Sequence, residues 1–264
     1  MAEHVFGGLD GAPRPAKPRR QGMTMVADWG LGPHAQEDLL VTAAGHCDFA
    51  KVTVGISRLL DNEVLRAKIR TYQEWQVEPF PGGQYLEYAE VVGQTGRYLP
   101  AVAAAGYRWV EVSDNLVTAG VEWKGRLIGQ AVEEFGLAVL GEVGKKEGLE
   151  KTAPMVDDAQ ACLDAGARIV LLEAAELVAA DPDTAREVEE VVDEIGLERV
   201  MFELPGPWID GVASHHVHRM RRELVDRFGA QVNLGNVAPP DLLALEAYRR
   251  GLGVNAGGNE EKDQ

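Results

Sequence analysis

Short apolar runs alternate along this chain with longer stretches of helical spacing. Four of the runs close on a glutamate: WVEVS on Glu111, VLGEVG on Glu142, IVLLEA on Glu173 and VMFELP on Glu203. TMVAD closes on Asp28, DFAKVT on Lys51 and QVNLGN on Asn233. Continuous apolar runs, as opposed to alternating ones, mark strands buried on both faces of a parallel sheet. The pattern predicts strands at 24–28, 49–53, 77–79, 109–113, 138–143, 168–174, 200–204 and 231–234. Helical stretches fill the intervals, and several end in a glycine just before the next strand, as in AAGYRWVEV, EFGLAVLGEV, DAGARIVLLEA and RFGAQVNLG. Glycine there accepts the left-handed geometry of a helix C-cap.

Eight strand–helix units predict an α/β protein built as a single (β/α)8 TIM barrel. A doubly wound open sheet is the rival, and the absence of a dinucleotide fingerprint favours the barrel. The length of 264 residues suits one barrel of roughly 250 residues. The barrel is expected over 22–253. A flexible basic arm, 1–21, precedes it and contains GAPRPAKPRR; a frayed tail, 254–264, follows.

Composition adds exclusions. Forty-two acidic residues against 26 basic ones give a net charge of −16, which argues against nucleic acid as a partner. No stretch is long and apolar enough for a bilayer, and no secretory signal is visible, so a cytoplasmic location is expected. Cys47 and Cys162 lack the spacing of a metal pair and are expected to be reduced.

Candidate chemistry follows from strand exits. In a TIM barrel the active site is assembled from the C-terminal strand ends. One strand-end glutamate is usually a helix cap or a surface ion pair; four in register would share one mouth, where oxygen ligands suit Mg2+. Glu142, Glu173 and Glu203 are the candidate metal ligands, and Glu111 a candidate catalytic group. Lys51 ends an apolar run directly and could bind an anion or form a Schiff base. In EVGKKEG, Lys145 and Lys146 follow the strand-five exit, and a lysine among carboxylates stays protonated and can donate a proton; a solvated turn is the plainer reading. The glycine turn in PFPGGQYLEYA, at Gly82 and Gly83, exposes backbone N–H groups that could hold an anion. NLGNVAPPD offers Asn233, Gly235 and Asn236 after strand eight, where barrels often hold phosphate. Asp28 and Ser113 complete the candidate substrate-binding set. HHVHRMRR lacks HExxH spacing and reads as a solvated or interface helix face. No Gly-x-Ser-x-Gly elbow or Walker loop appears.

GMTMVADWGLG, DFAKVTVGIS, PGGQYLEYA, VEVSDN, GEVGKK, DAGARIVLLEA, FELPG, VNLGNV and LEAYRRGLG occur in the order found in phosphosulfolactate synthases, a family the chain resembles from about 22 to 253. The resemblance implies a barrel, commonly trimeric, that uses Mg2+ to add sulfite to phosphoenolpyruvate. It implies that Glu142 and Glu173 hold the metal and that Lys145 protonates C2. Lys51, the Gly82–Gly83 turn and the Asn233–Asn236 loop would hold anionic groups. Plant heat-stress-associated proteins share the family, so a stress or partner-binding role is the alternative. The chain departs from the family pattern at Trp29, where lysine is frequent, at Gly253, in place of an arginine, at Asn115, where glycine is common, and in EAAELV, which lacks an arginine.

Overall fold

The computed structural model describes residues 5–6, 9, 11–114, 116–117, 120–144, 153–174, 182–206 and 208–252. It is a single (β/α)8 TIM barrel. Its strands are β1 (Thr24–Asp28), β2 (Phe49–Val52), β3 (Glu78–Pro81), β4 (Trp109–Val112), β5 (Ala138–Val143), β6 (Ile169–Glu173), β7 (Val200–Glu203) and β8 (Asn233–Val237). All paired strands are parallel, in the order β3-β2-β1-β8-β7-β6-β5-β4. The described helices are α1 (Pro33–Ala43), α2 (Ile56–Leu59), α3 (Asn62–Glu74), α4 (Gln84–Val91), α5 (Thr95–Ala105), α6 (Gly120–Glu133), α7 (Met155–Asp164), α8 (Pro182–Ile195), α9 (Ser214–Phe228) and α10 (Leu242–Arg249).

Each strand feeds two apolar layers, because successive side chains point to opposite faces. Met25, Phe49, Phe80, Leu140, Ile169, Leu171 and Met201 fill the barrel interior. Val26, Ala50, Val110, Val139, Val170 and Phe202 point outward and pack under the helices. Burial on both faces is why the strands read as unbroken apolar runs.

The barrel has a seam between β3 and β4, which pack side by side with no ladder recorded among the described residues. The backbone N–H groups of Glu78 and Gly82 donate to Asp48 and Val52, on the β2 side. By the alternation of a strand, residues 79 and 81 would donate to β4. Both are prolines and have no N–H to give.

The basic stretch expected to be a flexible arm is instead pinned, from Gly11 on, across the N-terminal end of the barrel. Arg14 pairs with Glu246 at 3.2 Å and donates to the carbonyls of Ala230 and Gly22. Arg19 pairs with Asp48 at 3.0 Å, and Lys17 donates to the carbonyls of Ala44 and Cys47. These cations find carbonyls and carboxylates gathered at the N-terminal end of the barrel, which a charge count along the sequence does not reveal. No described helix is long and apolar enough to cross a membrane.

Candidate active site

At the C-terminal end of the strands the interior changes from apolar to charged within one layer. Lys51 follows Phe49 inward on β2, Glu111 follows Trp109 on β4, and Glu142 follows Leu140 on β5. Glu173 follows Leu171 on β6 and Glu203 follows Met201 on β7. All five sit almost wholly out of solvent. The ammonium of Lys51 lies 2.7 Å from Glu203 Oε1 and 2.9 Å from Glu111 Oε2. Asn236 donates to the other oxygen of Glu203 at 3.0 Å.

Among the described residues, four carboxylates and one ammonium share this layer. Two consequences follow. Burial, with repulsion from Glu203 and Glu142, pushes the Glu111 carboxyl well above the ordinary range despite the pull of Lys51. Burial opposes the charge on Lys51, but Glu111, Glu203 and Glu142 together hold its ammonium well above the ordinary lysine range. A lysine so held is an electrostatic fixture; it is poorly suited to the free-amine step of Schiff-base chemistry.

One carboxylate oxygen each from Glu142, Glu173 and Glu203 lie within 4.8 Å of one another. Mg2+ takes oxygen ligands at about 2.1 Å in octahedral geometry, so its ligand atoms sit roughly 3–4.2 Å apart. A small inward movement would therefore let the three carboxylates hold such an ion, and their hard oxygen donors fit a divalent cation. Among the described residues no histidine joins a cluster of this kind. The 215–222 stretch instead runs along α9, where His216 Nδ1 accepts the Ala213 N–H.

A recess of about 60 Å3 lies over this layer, walled by the Gly82–Gly83 turn, Val54, Leu204 and Asn236 and partly roofed by Trp29 and Trp208. The two indole rings lie 5.1 Å apart and remain 47% and 42% exposed. Val54 and Asn236, both on the rim, adopt left-handed backbone (φ 44° and 56°). For a β-branched residue such as Val54 this is strain, and strain of this kind gathers at functional sites. A Cβ on Gly83 would collide with Ser113 Oγ and come within 2.8 Å of Glu111 Oε1, so only glycine lets the turn lie against the charged layer.

Four expected site residues have other placements. Asp28 is at the β1 exit but points outward: Met25 and Ala27 take the inward positions. Its carboxylate accepts the N–H groups of Gly30 and Leu31, Lys68 Nζ at 2.5 Å and the Tyr72 hydroxyl at 2.8 Å. Asn233 is at the opposite end of the barrel, because β8 begins there instead of ending near it. Its side chain accepts from Met23 N and donates to the carbonyl of Val200. Gly235 sits inside β8, where a Cβ would run into Met25 Cε; its reason is packing. Ser113 is near the turn but donates its hydroxyl to Glu87 at 2.5 Å. Lys145 and Lys146 lie outside the described residues.

Buried charges on the helices brace the layer, and the sequence reading missed them. Lys124 on α6 donates to the carbonyl of Glu142 at 2.9 Å, to Asp158 at 2.7 Å and to Asp114 at 3.1 Å. It thereby fixes the strand end that carries Glu142. Glu87 on α4, wholly buried, accepts from both Ser113 and the backbone N–H of Leu116.

A sequence profile of the family described as (2R)-phospho-3-sulfolactate synthase (ComA) matches residues 12–255. The chain belongs to the phosphosulfolactate synthase family. The phosphosulfolactate synthase of Methanothermobacter thermautotrophicus is 34% identical over 251 residues, which cover 91% of this chain and 93% of that protein. The one from Methanocaldococcus jannaschii is 31% identical over 244 residues, 88% and 92% of the two chains. Among solved structures, 3-hexulose-6-phosphate synthase aligns with a TM-score of 0.53 at 16% identity, covering 88% of this chain and all of that one. A putative lyase/mutase from Burkholderia cenocepacia aligns with a TM-score of 0.52 at 12% identity, over 92% and 88%. These two likenesses concern the fold alone. Named enzymes among its sequence relatives make this member of the phosphosulfolactate synthase family an enzyme by descent, and the charged layer is its candidate active site.

Proposed function

We propose that this chain adds sulfite, or a related nucleophile, to the methylene carbon of phosphoenolpyruvate or a similar enol acceptor, with Mg2+ as cofactor, as a carbon–sulfur lyase-type synthase. The observation that carries the reading is the Glu142–Glu173–Glu203 carboxylate cluster at the barrel mouth, beside a Lys51 ammonium paired with Glu111 and Glu203. Glu142, Glu173 and Glu203 would hold Mg2+, which supplies Lewis-acid stabilisation of the charge that builds on the acceptor's carboxylate. Lys51, braced by Glu111 and Glu203, adds a positive charge oriented before two anions meet. The sulfur lone pair forms the C–S bond, and the π pair of the acceptor moves to C2, where Lys145 delivers a proton; nothing leaves. The Gly82–Gly83 turn and Asn236 would line the anionic end of the acceptor. A homotrimer is part of the proposal.

A second reading concerns the acceptor. No arginine lines the recess among the described residues, while two tryptophans roof it. That lining favours an acceptor carrying less charge than phosphoenolpyruvate.

The test is incubation with Mg2+, phosphoenolpyruvate and sulfite, followed by phosphorus NMR and mass spectrometry. A phosphorus-containing product with the mass of acceptor plus bisulfite supports the primary reading. An unchanged phosphorus spectrum with folded protein would remove phosphoenolpyruvate as acceptor and leave the second reading.

A further inference from the structure

Helices α2, α3, α4 and α5 enclose a cavity of about 400 Å3 beside the end of β3. It shares no lining residue with the recess at the mouth, and its size falls in the ~300–1,000 Å3 range of small-molecule sites. Four of the chain's six tyrosines wall it: Tyr85, Tyr88, Tyr98 and Tyr107. Tyr85 and Tyr88 stack with their rings inclined by 16°, and Tyr98 meets Tyr85 edge-on at 5.6 Å.

One feature goes beyond a packing gap. Three exposed arginines from three elements, Arg58, Arg66 and Arg97, stand around the cavity. None makes an ion pair among the described residues, although the chain has a net charge of −16.

We propose that this cavity is a second small-molecule site, for a planar aromatic anion: the ring against the tyrosine wall and a carboxylate, sulfonate or phosphate on the arginine rim. Aromatic walls favour offset or edge contacts with a flat ring, and guanidinium groups bind oxyanions through paired N–H donors. The site also bears on the mouth. Helix α4 contributes Tyr85 and Tyr88 to the cavity and Glu87 to Ser113, so a ligand that fixes α4 also fixes the β4 exit.

Fluorescence titration of the full-length protein with 1-anilinonaphthalene-8-sulfonate, and with N-phenyl-1-naphthylamine, which lacks the sulfonate, tests the proposal. One saturable site per chain is expected for the sulfonate. The Arg66→Ala/Arg97→Ala double variant should weaken it by about tenfold or more and leave the uncharged dye nearly unchanged. Ala101→Trp, which fills the cavity, should remove both dyes, and Glu142→Gln should affect neither. Circular dichroism verifies folding; should Ala101→Trp unfold, the double variant decides. Unchanged sulfonate affinity in the double variant, or its loss in Glu142→Gln, would overturn the proposal. Binding that appears only on dilution, together with a falling mass by light scattering, would also overturn it in favour of a contact between copies.

Discussion

Lys51 Nζ lies 2.7 Å from Glu203 Oε1, joining β2 to β7 across the mouth of the barrel although 152 residues separate them in sequence. The pair is buried. Replacing Lys51 by Met should lower kcat roughly 10^2- to 10^3-fold, the cost of losing one preorganised charge. Lys145→Met should lower it about 10^2- to 10^4-fold. Steady-state kinetics on the accepted substrate would measure both, and near-wild-type turnover in Lys51→Met would remove Lys51 from the mechanism.

Metal binding can be read without turnover. Mg2+ should raise the melting temperature of the wild-type protein, since a ligand of the folded state stabilises it. The increment should shrink in Glu142→Gln and in Glu173→Gln, while EDTA abolishes activity until Mg2+ is returned. A melting temperature indifferent to millimolar Mg2+ in the wild type would count against the three-glutamate site.

The raised pKa of Glu111 makes a prediction about pH. The folded protein holds this proton more tightly than the unfolded chain does. Its contribution is therefore complete below the unfolded value of about 4.3 and is lost as pH rises through the raised folded value. In EDTA, Glu111→Gln, which cannot ionise, should gain melting temperature relative to wild type as pH rises from about 4.3 through the raised folded value, and hold that gain above it. A gap that stays constant with pH would show that Glu111 titrates normally.

Two glycines near the site should respond differently to alanine. At Gly83 the new methyl meets Ser113 and the Glu111 carboxylate within a tight turn; at Gly235 it meets the flexible end of Met25. Gly83→Ala should cut activity by about tenfold or more while the fold survives, because small displacements of a reacting geometry are costly. Gly235→Ala should cost about 1–3 kcal/mol of stability, as overpacking does, with a smaller effect on kcat. Kinetics paired with thermal melts separate the two, and the reverse ranking would refute the assignment.

The barrel and the glutamates at its mouth were legible because double-sided burial makes strands read as apolar runs, and a charge ending such a run has few places to go. The direction of a terminal side chain was not legible. Val26 and Met25 are equally apolar, so nothing in TMVAD says that Asp28 faces outward. Asn233 was misplaced because β8 is displaced along the chain, which moves that residue to the far end of the barrel. Lys68 and Lys124 did leave a signal. Lys68 shares a helical stripe with Leu65, Ile69 and Tyr72, and Lys124 shares one with Leu127, Ile128 and Ala131. A lysine on an apolar stripe has to find a buried partner, and both do.

The prolines of β3 have a consequence for the chain before it is fully folded. Rolled open at the seam, the barrel is an eight-stranded sheet with β3 and β4 as its edges. Free edges invite pairing with another chain. Pro79 and Pro81 take the donors off one of those edges, so the residues that prevent a ladder within the ring also make the unrolled sheet a poor template for aggregation.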